Sequence, residues 1–461
     1  GEAAAHTRRA LRLVDPAQPG AARTRHDLLT ALGNDLLRSG RRTEAQEVVA
    51  EAIAVAQELG DRRCVLESAA VWGSVTLENW RPHGVVDTGM VALLEDLLEH
   101  RDDRGGWGAS TASEAERDRL TARLLGTLGV ELAFSEDLRR GVRYAERAVA
   151  LARGAGDPEL LGRVLNNYSL AVWGRPGAAE LRLAATDEAL ALAGRGLPRR
   201  TEFYARLHRA AIRLHLTDRA GFEADLEAGR RLAFALSGPE VRPHVLWQQA
   251  GAAWLAGDAA RAEELTTEAY ELYRRVTPHA RHAHAAHLFA LRRADGRLPE
   301  AVDLLVGAGD EGNPLLQLMA VLAAAESGDP AEARRLRARW GRTQIRDWAS
   351  DVLVLLQAET ALHLGDEADV TMATVQLLPF RGRQAVLGTP AFSLGAYDEL
   401  LGRIAEHTGD TVAARDRWTA AREQGRRVGS PHQVALAEAH LARVPAEAAQ
   451  RPPRRRPVRT A

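Results

Sequence analysis

Four histidines within nine residues are the densest group of side chains that could bind a metal ion: His279, His282, His284 and His287. Helical metal sites place two histidines at positions i and i+4, so that both imidazoles reach one ion. Here the pairs 279/282 and 284/287 are three residues apart and point to different sides of a helix, and the group contains no cysteine or acidic residue. We therefore predict no metal site, and metal binding stays an alternative.

A glycine pattern of the form GxGxxG spans residues 307–312. Dinucleotide binding needs a β-strand before this pattern and a helix that opens at its last glycine. Residues 299–306 instead continue an amphipathic helical pattern, and Pro314 can begin the next helix. The pattern predicts a turn between two helices.

Several kinds of catalytic chemistry lack the residues that they need. All 61 basic residues are arginine, which excludes a Walker A loop and any lysine Schiff base. The one cysteine, Cys64, lies in a helical stretch where a small buried apolar side chain is expected. No GxSxG or HExxH motif occurs. We predict a protein that is not an enzyme and has no cofactor, with an enzyme as an alternative.

The balance of 61 basic and 62 acidic residues argues against phosphate neutralisation as the main function. The tail residues Arg454, Arg455, Arg456 and Arg459 are interpreted as solvated, and no direct nucleic-acid binding is predicted for this region. The longest apolar run is too short to span a membrane, and a single cysteine suits a reducing compartment. We expect a soluble cytoplasmic protein, and the initial Gly1 suggests a piece of a longer polypeptide.

Aromatic and amide side chains are the remaining candidates for binding. Asparagine can hydrogen-bond a peptide backbone, arginine can pair with a carboxylate, and tryptophan offers a large apolar face with one donor. The alternative is that the tryptophans pack between helices. The candidate ligand- or peptide-binding residues are Asn79, Trp80, Arg81, Asn166, Asn167, Trp173, Trp247 and Trp254.

An internal repeat indicates which elements hold these candidates. Residues 31–61 align without a gap with residues 127–157, so that Gly33 falls on Gly129. Each copy reads as two amphipathic helices joined by a short turn, with small residues where the helices approach. This pattern is similar to the tetratricopeptide (TPR) repeat.

The same pattern recurs downstream as a turn glycine followed five residues later by a small residue. The pairs are Gly257 and Ala262, Gly296 and Ala301, Gly328 and Ala333, and Gly409 and Ala414. One helix pair cannot bury its apolar face alone, so neighbouring pairs should stack. The predicted fold is all-α, a right-handed α-solenoid of about eight to nine TPR-like helix pairs.

The predicted organisation has three parts. Residues 1–26 form an N-terminal lead-in helix, and residues 27–444 form the TPR-like superhelical domain. A mobile loop at about residues 100–116 interrupts this domain, because that stretch is rich in glycine, serine and charge. Residues 445–461 form a disordered tail rich in arginine and proline.

Three stretches, residues 75–98, 164–193 and 377–418, resemble a group of large actinobacterial transcriptional regulators. The chain resembles the C-terminal TPR-like region of the SARP/BTAD-type and large LuxR-type activators, which also carry a STAND-class ATPase and a DNA-binding domain. The resemblance implies a sensor or scaffold region whose partners are its own upstream ATPase and DNA-binding domains.

On this hypothesis, a small-molecule effector, a peptide or a protein partner binds the concave TPR surface and controls the upstream domains. A homodimer is also possible. The alternative is a pure protein–protein interaction or self-association scaffold that binds no small ligand.

Overall fold

The computed structural model describes residues 2–77, 80–81, 84–102, 113–175, 177–275, 280–341 and 350–444. Within these ranges the chain forms twenty-two α-helices and one two-stranded antiparallel sheet. The helices of the first half are α1 (Glu2–Leu13), α2 (Ala21–Arg38), α3 (Arg42–Glu58), α4 (Arg62–Trp72), α5 (Thr88–Glu99), α6 (Glu114–Glu131), α7 (Leu138–Ala155), α8 (Pro158–Ala171), α9 (Ala178–Leu190), α10 (Arg199–His215) and α11 (Arg219–Ala235).

The second half contains the remaining helices and both strands. They are α12 (Val241–Leu255), α13 (Ala259–Tyr273), α14 (Ala280–Ala294), α15 (Val302–Gly309), α16 (Pro314–Glu326), α17 (Pro330–Trp340), α18 (Ser350–Leu364), α19 (Glu367–Leu377), β1 (Gln384–Leu387), β2 (Phe392–Ala396), α20 (Tyr397–His407), α21 (Thr411–Arg427) and α22 (Pro431–Arg443).

Consecutive helices pack as antiparallel pairs, as the repeat pattern predicts. In the described part of the chain nine such pairs are α2/α3, α6/α7, α8/α9, α10/α11, α12/α13, α14/α15, α16/α17, α18/α19 and α20/α21. Helix α1 packs on α2, and α22 packs on α21 and closes the array. The predicted all-α, TPR-like solenoid is therefore confirmed.

The turns between paired helices show why the repeat glycines are needed. Gly257 and Gly409 adopt φ of 85° and 76°, a left-handed conformation that glycine adopts without steric cost. The aspartate that follows each of them caps the next helix, since Asp258 accepts the amide of Arg261 at 3.0 Å. The Gly-Asp dipeptide thus ends one helix and begins the next.

Small residues let paired helices approach closely. A Cβ atom on Gly129 of α6 would lie 2.9 Å from the Cβ of Ala145 of α7. In the matching pair, a Cβ on Gly33 would lie 2.5 Å from Cγ2 of Val49. The predicted alignment of residues 31–61 with residues 127–157 corresponds to two equivalent helix pairs.

One element departs from the all-helical pattern. Between α19 and α20 the chain forms a β-hairpin from β1 and β2, in which Leu387 pairs with Phe392. We call residues 384–396 the inner hairpin. It contacts α10, α12, α14 and α18, each the first helix of its pair, and also α20 and α21. The predicted all-α fold does not include this sheet.

The predicted boundaries can be compared with these elements. Residues 1–26 include α1 and also the start of α2, which begins at Ala21. The predicted loop at 100–116 overlaps the start of α6, and its residues 103–112 lie outside the described residues. The predicted tail, residues 445–461, also lies outside them. Within the described ranges, each helix is too short or too polar to cross a bilayer.

Candidate binding surface

A short stretch of the chain crosses the first helices of several pairs. Residues 73–77, which follow α4, are called the inner segment. The side chain of Asn166 on α8 accepts the amide N–H of Thr76 at 2.9 Å and donates to the carbonyl oxygen of Thr76 at 2.8 Å. Nε2 of His208 on α10 lies 3.2 Å from the same carbonyl oxygen. Both backbone groups of one residue outside the helices are therefore held by side chains.

Close packing at both ends of the inner segment fixes its position. A Cβ atom on Gly73 would lie 1.9 Å from Oγ1 of Thr127 on α6, so the backbone touches that helix. At the other end the side chain of Leu77 is buried in an apolar pocket. The pocket is formed by α10 and α12 through Phe203, Tyr204, Leu207, Val241 and Val245.

A buried carboxylate anchors the chain on either side of the inner segment. The side chain of Glu131 accepts the indole N–H groups of Trp72 and Trp80, each at 2.7 Å. It also accepts from Arg81 at 2.9 Å, and Arg81 pairs with Asp87 at 2.8 Å. Two predicted binding residues, Trp80 and Arg81, thus bind a carboxylate of the same chain.

The inner hairpin covers the next stretch of the same surface. Nε2 of Gln248 on α12 donates to the carbonyl oxygens of Leu207 and Thr389. Nε1 of Trp254 donates to the carbonyl oxygen of Ser393 at 3.0 Å, and its ring stacks on Phe392 at 5.7 Å. The predicted candidate Trp254 therefore contacts backbone and an aromatic ring that belong to this chain.

The other candidates lie in different surroundings. Trp247 is fully buried and packs edge-on against Tyr273 at 4.9 Å. Asn167 is buried beside Asn166, and neither atom of its amide has a hydrogen-bond partner within the described ranges. Asn79 lies outside the described residues. The ligand-binding roles of these residues stay predictions.

Trp173 lines a cavity of about 230 Å³ that lies between the two halves of the chain. One wall comes from the residues that follow α8, from α9 and from α10, and the other from α18, the end of α19, the residues that follow it and the inner hairpin. Cζ of Arg182 lies 3.5 Å from the centroid of the Trp173 ring. The lining of the cavity therefore includes an aromatic ring in contact with a buried cation.

The charges around this cavity are only partly balanced. Asp351 accepts the hydroxyl of Tyr397 at 2.7 Å, and burial raises the pKa of Tyr397 well above its ordinary value. Arg383 pairs with Glu180 at 2.6 Å. Burial lowers the pKa of His215, which keeps that imidazole neutral at neutral pH. Arg182 makes no ion-pair contact with a carboxylate in the described part of the chain, and the carboxylate of Asp351 acts on its charge from farther away.

The histidine group does not converge on one point. His284 stacks on Tyr270 at 4.5 Å and His287 stacks on Phe392 at 4.9 Å, while His282 pairs with Glu311. His279 lies outside the described residues. Burial lowers the pKa of His284 to about 4 and that of His287 to about 3. These three side chains occupy separate packing environments.

The glycine pattern at 307–312 matches its prediction only in part. Residues 307–309 end α15, and residues 310–312 form the predicted turn before α16, where Asn313 caps the new helix. Cys64 is buried, and burial raises the pKa of its thiol to about 12. Among the described residues, His26, Asp27 and Glu67 are close enough to share an ion, but both ring nitrogens of His26 already have protein partners.

Four polar residues of this surface are not among the predicted binding residues: Glu131, Arg182, His208 and Gln248. Each lies at a buried position on a helix, where an apolar side chain is the usual choice. A search for polar residues on the apolar faces of predicted helices would have found Glu131 and His208, which lie among alanines and leucines.

No protein-family model matches this sequence, and no curated protein matches it significantly. Among solved structures, the chain is similar to a Rap protein complexed with competence and sporulation factor, with 11% identity, TM-score 0.39, and coverage of 91% of this chain and 97% of that one. It is also similar to a human IFIT1 dimer with m7Gppp-AAAA, with 14% identity, TM-score 0.43, and coverage of 97% and 94%.

A third similar structure is yeast Tom70, with 12% identity, TM-score 0.38, and coverage of 95% of this chain and 92% of that one. All three values of identity and TM-score are too low to assign a family or a function. The class of the protein follows from its own architecture, a solenoid of TPR-like helix pairs.

Proposed function

We propose that this chain is a non-catalytic binding module whose concave surface holds an extended stretch of polypeptide by its backbone. The observation that carries the proposal is the pair of hydrogen bonds between Asn166 and Thr76. An asparagine amide that bonds both N–H and C=O of one residue imitates the pairing of neighbouring strands. Such a contact is independent of the side chain held, and the pocket for Leu77 adds selectivity.

In this conformation the inner segment occupies the surface that a partner peptide would use. A partner must displace it, so binding and release of the inner segment are coupled. Following the resemblance to large transcriptional activators, we further propose that this exchange controls an upstream ATPase and DNA-binding domain. The module would then be a regulatory region in which an internal peptide and an external one compete.

The peptide-binding role can be tested with a chain whose own inner segment is released. Thr76→Pro removes the N–H group that Asn166 accepts. A fluorescently labelled peptide with the sequence GSVTL, that of residues 73–77, should bind this variant and should bind wild type at least tenfold more weakly. Fluorescence anisotropy measures both affinities.

Two matched controls make this test specific. The same peptide N-methylated at its threonine should not bind, because it lacks the donor that Asn166 accepts. The double variant Thr76→Pro/Asn166→Ala should also lose binding. If Thr76→Pro does not bind the unmethylated peptide, the surface is structural packing and the proposal is wrong.

The regulatory role needs the polypeptide that carries the upstream domains. Asn166→Ala in that polypeptide should change its rate of ATP hydrolysis, because the inner segment is held less tightly. Asn34→Ala is the control, since Asn34 is exposed and bonds only a carbonyl of its own helix. Equal rates in the two variants would contradict control of the ATPase by this surface.

A further inference from the structure

The cavity beside Trp173 has the size and lining of a site for a small ligand. Its volume of about 230 Å³ is below the roughly 300–1,000 Å³ of pockets for drug-sized molecules. Much of its wall is apolar, with Ile212, Val354 and Phe380 among the lining residues. A ligand that fills it should therefore be small and mostly apolar.

Arg182 is a buried cation in the lining of this cavity. Its side chain is only 6% exposed, and its Nε lies 3.4 Å from Oγ of Ser169, a long hydrogen bond. Its Nη2 is buried and has no hydrogen-bond partner among the described residues. Burial lowers the pKa of Arg182 to about 9, so the guanidinium is still charged at neutral pH. The lining carboxylate of Asp351 offsets this buried charge only from beyond ion-pair distance, and an anion in the cavity would stabilise the guanidinium further.

The neighbouring charges restrict the kind of anion. Arg383 already pairs with Glu180, and Arg175 lies 3.8 Å from Glu146, so these lining arginines have partners outside the cavity. Asp351 is a negative charge in the lining and would repel a dianion such as phosphate. One guanidinium whose Nη2 lacks a hydrogen-bond partner among the described residues fits one carboxylate, which its planar fork can bind with two hydrogen bonds.

We propose that this cavity binds a small organic monocarboxylate, whose carboxylate pairs with Arg182 and whose apolar body lies against Ile212, Val354 and Phe380. This inference goes beyond the peptide-binding role and does not depend on it. A ligand here would contact Trp173, whose ring also meets His208 edge-on at 6.0 Å. His208 in turn contacts Thr76 of the inner segment. The cavity and the peptide surface are thus linked through the contact between Trp173 and His208.

The test uses the full chain and isothermal titration with benzoate, phenylacetate and butyrate as probes. Benzamide, a neutral molecule of the same shape as benzoate, and inorganic phosphate are the comparison ligands. At least one of the carboxylates should bind with a Kd at least tenfold lower than that of benzamide and of phosphate. If none of them does, or if phosphate binds more tightly, the proposal is overturned.

Two variants locate the bound carboxylate. Arg182→Met removes the charge but keeps a long side chain, and Val354→Trp fills the cavity while Arg182 is kept. Both should weaken carboxylate binding at least tenfold. Arg153→Gln is the matched control, because Arg153 is an exposed arginine that pairs with Glu188 on the outer surface. The Arg153→Gln variant should bind the carboxylate as tightly as wild type does. An equal loss of affinity in all three variants would contradict the placement of the carboxylate in this cavity.

The outcome for this site is separable from that for the peptide surface. Asn166→Ala should keep carboxylate binding while it loses the held inner segment, and Arg182→Met should keep the inner segment in place. If Asn166→Ala abolished carboxylate binding as completely as Arg182→Met, the ligand would not lie in this cavity.

Discussion

Asn166 and Thr76 lie ninety residues apart in the chain and are joined by two hydrogen bonds of 2.9 and 2.8 Å. The asparagine belongs to the first helix of one pair, and the threonine belongs to an extended segment that crosses several pairs. In a helical-repeat protein, each repeat usually contacts only the repeats next to it. Here a segment from the N-terminal part of the chain adds contacts that run across the stack.

Removing this clamp should destabilise the protein. Asn166→Ala deletes two buried hydrogen bonds and removes the acceptor of the Thr76 amide, while His208 stays within hydrogen-bond distance of the Thr76 carbonyl, so the free energy of unfolding should fall by about 2–3 kcal/mol. Urea denaturation followed by circular dichroism measures it. Asn34→Ala, at an exposed position, should leave the midpoint unchanged. A loss in Asn166→Ala no larger than that in Asn34→Ala would contradict the clamp.

The buried carboxylate of Glu131 is the second contact to test. Glu131→Gln removes the negative charge that balances Arg81 and replaces one of two acceptor oxygens by a donor, so we expect a loss of about 2–4 kcal/mol in the free energy of unfolding. Thermal denaturation reports this loss as a lower Tm. Glu227→Gln, which breaks an exposed pair with Arg230, is the matched control and should keep the wild-type Tm.

Docking of the inner hairpin depends on a glycine of α12. A Cβ atom on Gly251 would lie 2.5 Å from the carbonyl oxygen of Ala391, so Gly251→Ala must push the hairpin away. We expect a loss of about 2 kcal/mol in stability and faster proteolytic cleavage within residues 384–396. Gly307→Ala is the control: it lies on exposed helix with nothing within 4 Å of the new Cβ, and it should stabilise by about 0.5–1 kcal/mol. Unchanged cleavage in Gly251→Ala would mean that the hairpin is not held there.

Acid should weaken the fold through His287. Burial, together with the neighbouring His284, lowers the pKa of His287 from its ordinary 6.5 to about 3. Between pH 6.5 and about pH 3, the unfolded chain therefore binds a proton at this residue that the folded chain does not bind. The free energy of unfolding should fall by about 1.4 kcal/mol for each pH unit below 6.5 from this residue alone.

The measurement for His287 is a series of urea midpoints from pH 7 down to pH 4. His287→Leu should show a shallower loss of stability with falling pH than wild type, because the group that must be protonated on unfolding is absent. His6→Gln removes an exposed histidine and serves as the control. Parallel pH profiles for wild type and His287→Leu would contradict the prediction.

The helix pairs could be predicted from the sequence because their signals are local. A left-handed glycine, a capping aspartate and a small residue five positions after the glycine all lie within one turn region, as at Gly257, Asp258 and Ala262. These features depend on contacts between adjacent helices and need no distant partner. The inner hairpin carried a weaker local signal, the turn residues around Pro390 between two short apolar runs.

The contacts across the surface could not be predicted in the same way. Residue type alone marked Asn166 and Trp254 as binding residues, and both lie on this surface. Their partners, Thr76 and Ser393, belong to segments ninety and 139 residues away, and no spacing in the sequence encodes such a meeting. Arg182 could not be predicted as a binding residue, because the sequence does not distinguish a buried arginine from an exposed one. The residues that surround it come from both halves of the chain.

The position of the inner hairpin affects how the protein is made. Gln248 and its hairpin partner Thr389 are separated by 141 residues, and a ribosome adds about 5–20 residues per second. A newly made α12 therefore waits roughly 7–28 s before the strands that cover it leave the ribosome. During that interval the nascent chain exposes Trp254 and its neighbours to the cell. A chaperone or an assembly partner can bind this exposed surface of α12 until the inner hairpin has been synthesised and covers it.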